Sequence, residues 1–156
     1  MSPCLPAIGL IVLALLGSAC RRSDPAAANP QTLEFIPMPG NTDLPFSAAV
    51  RAGPVLYLSG QLGTDSAGRL VPGGIGPETA QALANIRALL EAQGSGMDRV
   101  VKCTAMLADI ADWGPMNREY VRYFPARRPA RSAFATGGLA LGARIELECL
   151  ALAGRE

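Results

Sequence analysis

The sequence predicts an α+β domain: one mixed sheet with two helices packed on one face. Three observations predict it. Apolar runs at "VLYLSG", "RVVKCTAML" and "IELECLAL" have the composition and alternation of strands. The stretch from Gly76 to Gln93 repeats apolar residues at helical spacing and stops at Gly94. The order strand, hairpin, helix, strand, helix, strand, strand contains crossover connections, which put both helices on the same side of the sheet. A chain of 156 residues, 49% hydrophobic, fits one domain with a buried core.

Taken in order, "TLEFIPM" is the first strand. "FSAAVRAGPVLYLSGQLG" is a hairpin that turns at Ala52-Gly53-Pro54, with "VLYLSG" as its buried arm. "TDSAGRLVPGG" is a loop with turn chemistry at Ser66-Ala67-Gly68. The first helix starts at Gly76 or Thr79, and Pro77 suits its first turn. Its buried face is Ala82, Leu83, Ile86 and Leu90. A strand runs from Val100 to Leu107. "IADWGPMNREYVRYF" is a second helix, expected to break near Gly114-Pro115, with Trp113, Met116, Tyr120 and Phe124 turned to the core. The stretch "RPARSAFATGGLALGARIELECLAL" reads as two strands joined by a Gly-rich turn, a hairpin-like pair. The second face of the sheet is then apolar with nothing in the chain to cover it, which predicts an oligomer.

Three regions are expected: 1–20 a signal peptide of lipoprotein type, 21–31 a flexible tether, and 32–156 the folded domain. "LPAIGLIVLALLGSA" is shorter than the ~20 residues of a membrane-spanning helix and suits a signal h-region. "LLGSAC" resembles a lipobox, which would make Cys20 the lipidated residue and remove Cys4. The expected location is exported, membrane-anchored through the lipid, or periplasmic. Arg21 and Arg22 follow the apolar run, while "MSPCLP" carries no basic residue. That layout leaves open an anchor facing the cytoplasm, and a misplaced start codon would leave the domain cytoplasmic. Cys103 and Cys149 read as buried small hydrophobes, with a disulfide open to them in an oxidising compartment.

Composition excludes several chemistries. The chain has no histidine, so Ser-His-Asp and Cys-His catalysis and the usual zinc sites fall away. Net charge is +1 with no basic stripe, which gives no electrostatic case for a nucleic-acid partner. "VPGGIGPE" lacks the spacing of a phosphate-binding loop and reads as a turn.

The charged residues of the last two strands need an explanation. Glu146 and Glu148 share one strand face, opposite Ile145, Leu147 and Cys149, and Arg131 lies on the strand before. They form either a solvated face with a structural ion pair or a site. As a site, the arginine fork would grip a carboxylate and a glutamate would take a proton from water. That pair suits a small carboxylate-bearing substrate with an electrophilic carbon, such as a 2-imino acid.

Four stretches carry a resemblance: "LYLSGQLG", "TAQALANIRALLEAQGSGMDRVVKCTAML", "MNREYVRYFPARRPARSAF" and "GARIELECLAL". From about Phe46 to Leu152 the sequence resembles the RidA (YjgF) family of reactive-intermediate deaminases. The resemblance implies a chorismate-mutase-like α+β fold and a homotrimer with active sites in clefts between subunits. It implies hydrolytic deamination of 2-imino and enamine acids to 2-keto acids and ammonia, with no metal and no cofactor. It assigns Arg131 to the substrate carboxylate and Glu146 to activation of water. Ser59 and Gly60 would line the pocket, Asn117 would stand beside it, Phe46 would form an aromatic wall, and Ala133 would offer its backbone N–H. Glu148 would be structural. The chain departs from the pattern at Pro45-Phe46-Ser47-Ala48, where many members have Pro-Tyr-Ser-Gln, and at Ala133, where many have Cys. A non-catalytic trimer that binds a small metabolite at the membrane surface is the alternative, and a chaperone-like role is a weaker third.

Overall fold

A computed structural model describes residues 32–40 and 43–154. The expected signal peptide, the tether 21–31, Cys4 and Cys20 lie outside the described residues. The elements are β1 (Leu33–Ile36), β2 (Ala49–Ala52), β3 (Val55–Leu58), β4 (Gln61–Leu62), α1 (Ile75–Ala92), β5 (Val100–Leu107), α2 (Trp113–Tyr123), β6 (Ala130–Ala135) and β7 (Ile145–Leu152). They form one seven-stranded sheet in the order β1-β2-β3-β7-β5-β6, with β4 also pairing with β7. Only β5 and β6 run parallel. The predicted α+β class, the mixed sheet and the two helices are all present.

Local chemistry sets most boundaries where the sequence places them. The β2–β3 hairpin turns at Gly53, whose φ of 55° is left-handed and free of cost only for glycine. α1 ends at Gly94, φ 67°, where the N–H groups of Gln93, Gly94 and Ser95 return to the carbonyls of Leu90 and Glu91. It begins at Ile75, one residue before the earlier of the two expected starts, with Gly74 before it and Pro77 in its first turn. α2 differs from expectation. Gly114-Pro115 does not break it. They occupy its first turn, where proline's missing N–H is not needed, and a short 3-10 turn over Ile110–Asp112 precedes it. Trp113, at that first residue, is 47% exposed and is not core, whereas Met116, Tyr120 and Phe124 are buried.

The last two strands are not a hairpin. β5 lies between β6 and β7, pairing parallel with one and antiparallel with the other. The crossover through α2 lays β6 on the outer edge of β5, so β7 can reach β5 only from its other side. The connecting segment passes the end of β5, where Thr136 N–H donates to Leu107 O (2.8 Å) and Ala108 N–H donates to Arg144 O (3.0 Å).

Both helices cover one face of the sheet. Leu83, Ile86 and Leu90 of α1 and Met116 and Tyr120 of α2 join Leu56, Leu107, Ile145 and Leu147 in the core. Cys103 and Cys149 face each other across β5 and β7, fully buried in that core, and they form a disulfide. The bond closes a sequence separation of 46 residues. Cys149→Ala with Cys103→Ala is expected to lower stability by on the order of 4 kcal/mol, the chain-entropy value for such a loop, measured by urea unfolding of the oxidised and doubly substituted domains.

The other face carries no helix. One row across it reads Phe35, Val50, Tyr57, Leu150, Lys102 and Ala130. Phe35, Tyr57, Phe134 and Leu152 are each more than two-fifths exposed there. This is the uncovered face the sequence predicts, though Lys102, Thr104 and Glu148 make its centre more polar than expected.

Candidate active site

The charged residues on these strands fall into two groups on opposite faces. Glu146 lies on the open face of β7, opposite Leu62 on one side and Met106 on the other. Its carboxylate is half-buried and has no hydrogen-bond or ion-pair partner among the described residues. Gly60 sits directly against it. A Cβ at position 60 would fall on Oε1 of Glu146 and lie 2.7 Å from its Cδ, so only glycine leaves the carboxylate where it is. Gly60→Ala should therefore push the carboxylate aside, with the melting temperature near wild type, and with Glu146 in the water-activating role that the family resemblance implies, kcat would fall on the order of 100-fold. A displaced side chain at the far end of a flexible Glu costs the fold little, and parallel kinetics and thermal melts check both halves.

Ser59 holds the segment that carries Phe46. Its hydroxyl donates to Ser47 O at 2.6 Å, and its N–H donates to Ala48 O at 3.0 Å. Phe46 is 52% exposed and lines a groove of about 550 Å³ with Phe35, Leu44, Val50 and Ser59. Ser59, Gly60, Phe46 and Glu146 thus stand on or beside the open face. Ala48, the second departure from the resembled pattern, is buried, at 1% exposed.

Arg131 points the other way. It lies on edge strand β6 in register with Cys103 and Cys149, on the helix-covered face. Its Cζ stands 4.6 Å from the ring centroid of Tyr120, and its Nη1 approaches Met116 Sδ at 3.6 Å. No carboxylate among the described residues pairs with it. The Tyr120 ring rests in turn on Phe124, with centroids 4.9 Å apart. Burial pushes the Tyr120 phenol up to about 12, against the pull of the Arg131 guanidinium, so it stays protonated. Ala133 follows two residues on along β6, on the same face, and Asn117 adjoins Met116 on α2. The sequence reading places Tyr120 and Met116 in the core, where they are. It misses that they also form the seat of Arg131, although their spacing of four on one helix face was visible.

Within one chain, then, Arg131 and Glu146 do not meet. One row of the sheet faces helices, the other faces outward, and β5 separates the strands that carry them. Each half is chemically incomplete: a carboxylate with no donor, and a guanidinium with no acceptor better than a thioether. Among the described residues no group of His, Cys, Asp and Glu is arranged to hold a metal ion, and no helix is long and apolar enough to cross a membrane.

The family model for Endoribonuclease L-PSP matches residues 40–153. The chain is 44% identical over 111 residues to a mouse protein named 2-iminobutanoate/2-iminopropanoate deaminase, covering 70% of this chain and 82% of that one. Among solved structures, the Rid-family protein YyfA of Yersinia pestis superposes with a TM-score of 0.73 at 32% identity, covering 78% of this chain and 99% of that one. RidA of an Antarctic Psychrobacter superposes with a TM-score of 0.67 at 30% identity, covering 80% and 98%. The residues matched take in both halves of the site, from Phe46 to Glu146, and the chain belongs to the RidA (YjgF) family, the family described as endoribonuclease L-PSP.

Proposed function

We propose that this protein hydrolyses 2-imino acids, and the enamines that tautomerise to them, to 2-keto acids and ammonia. The observation that carries the reading is that Arg131 and Glu146 are both uncommitted in a chain whose relatives include proteins named for this deamination. Arg131 grips the substrate carboxylate through its planar fork. Glu146 takes a proton from water as the oxygen adds to the C=N carbon, and passes it to the imine nitrogen. It then takes the hydroxyl proton of the carbinolamine and gives it to the departing amine. The C–N bond breaks, the C=O bond forms, ammonia leaves, and the carboxylate is regenerated. Water already attacks imines unaided, so orientation and one proton carrier suffice and no cofactor is required.

The placement of Arg131 and Glu146 on opposite faces supports an assembly in which the pair comes from two copies. Glu146, Gly60, Ser59 and Phe46 of one copy meet Arg131, Asn117 and Ala133 of the next in a cleft. Repeating that contact head to tail closes a ring, here a homotrimer, and covers the open sheet face. Phe46 supplies an aromatic wall without a hydroxyl, and Ala133 leaves its backbone N–H for an anion. The charge balance of the chain offers nothing to RNA, so the deaminase reading is favoured over the nuclease one.

The Cys103–Cys149 disulfide supports an oxidising compartment, in line with an exported protein carrying a cleaved or lipidated N-terminus at Cys20. The test is a competition assay. An amino-acid oxidase generates imines from a panel of amino acids while semicarbazide traps them. The domain is expected to suppress semicarbazone formation, and traces identical to the enzyme-free control across the panel would sink the reading.

A further inference from the structure

The Arg131 seat carries one inference more, and it rests on the deaminase reading above. We propose that Tyr120 is a positioning residue for catalysis: the face of its ring holds the Arg131 guanidinium in the orientation that receives the substrate carboxylate.

Three observations carry it. An arginine on an edge strand, with four rotatable bonds, needs something to fix it, and ordinarily that is a carboxylate. Among the described residues there is none: Arg131 meets the Tyr120 ring at 4.6 Å and the sulfur of Met116 at 3.6 Å. A carboxylate would fix the fork but also occupy it. A ring face attracts the cation without using an N–H, so Nε and Nη2 stay free for a bidentate ligand. The ring itself cannot turn away. Tyr120 is 4% exposed, lies on α2 between Met116 and Phe124, and packs on Phe124 at 4.9 Å. Finally, its hydroxyl is buried with no hydrogen-bond partner, so the ring and not the hydroxyl makes the contact that matters. The groups that touch Arg131 among the described residues are one aromatic face and one thioether, and Cys103 of β5 is its partner in register. All leave its charge uncompensated until substrate arrives.

The test separates ring electrostatics from packing. Tyr120→Phe keeps the ring and removes the unpartnered hydroxyl. Phenylalanines bearing increasing numbers of fluorines at position 120 keep the shape while draining the negative ring face. Each variant is checked for oligomer mass and melting temperature. KM for 2-iminobutanoate and the dissociation constant of 2-oxobutanoate, by calorimetry, are then measured. Tyr120→Phe is expected to stay within about twofold of wild type, and the pentafluoro variant to raise both constants roughly tenfold with kcat little changed. Constants that ignore fluorination would overturn the proposal, as would Tyr120→Phe matching the pentafluoro variant, since the hydroxyl would then be the acting group. Wild type that neither turns over imine nor binds 2-oxobutanoate would overturn the deaminase reading and this proposal together.

Discussion

Replacing Arg131 with alanine is expected to lower kcat/KM for 2-iminobutanoate by about a thousandfold, chiefly through KM. The size follows from a charge-assisted bidentate grip, where each hydrogen bond to a charged group contributes roughly 1.5–3 kcal/mol. Folding should hardly notice. Among the described residues Arg131 makes no ion pair, so its removal strands no buried charge there and forfeits its stacking on Tyr120 and its contact with Met116 Sδ. Arg131→Lys sharpens the claim. It keeps the charge but loses the planar fork, and is expected to recover only part of the loss. Steady-state kinetics beside thermal melts decide it. A variant whose KM stays at the wild-type value would mean that another group holds the carboxylate.

The second large effect is on Glu146. Glu146→Gln preserves shape and removes the proton acceptor, so kcat should fall by about 10² to 10⁴ while KM stays near wild type. The separation of the two effects, one in KM and one in kcat, is what distinguishes a grip from a proton carrier. Glu146 has no hydrogen-bond or ion-pair partner among the described residues, so the glutamine breaks nothing made there. Measured stability should be unchanged or slightly higher. A Glu146→Gln protein with full kcat would transfer the proton work elsewhere, and the absence of histidine from the chain leaves few candidates.

Much of this was written in the sequence. The helical repeat of Ala82, Leu83, Ile86 and Leu90, the glycine at position 94 and the alternation in "IELE" depend on contacts within a few residues, and each is found as read. The separation of β6 from β7 was not legible. Whether two successive strands pair directly or admit a third between them is decided by the crossover of α2, a long-range event that local turn chemistry does not report. The same gap hid the split site. Alternation showed that Glu146 and Glu148 share a face, but the face of Arg131 relative to Glu146 follows only from the register of both strands on β5. The disulfide is illegible for that reason too, since Cys103 opposite Cys149 is a fact of register. Trp113 misled because a large aromatic at a helix start resembles a core residue, while the preceding 3-10 turn rotates it outward.

The central claim is that each active site takes its arginine from one chain and its glutamate from another. Subunit mixing tests it most directly. Arg131→Ala and Glu146→Gln proteins, each nearly inactive alone at substrate well below the Arg131→Ala KM, are unfolded together in equal amounts, refolded and assayed at that substrate level. If sites lie between copies in a closed ring, about a quarter of them receive both an intact Arg131 and an intact Glu146, and activity returns to about a quarter of wild type. Mixed assemblies, verified by mass, that stay as inactive as either parent would contradict the account and place both residues of each working site in a single chain.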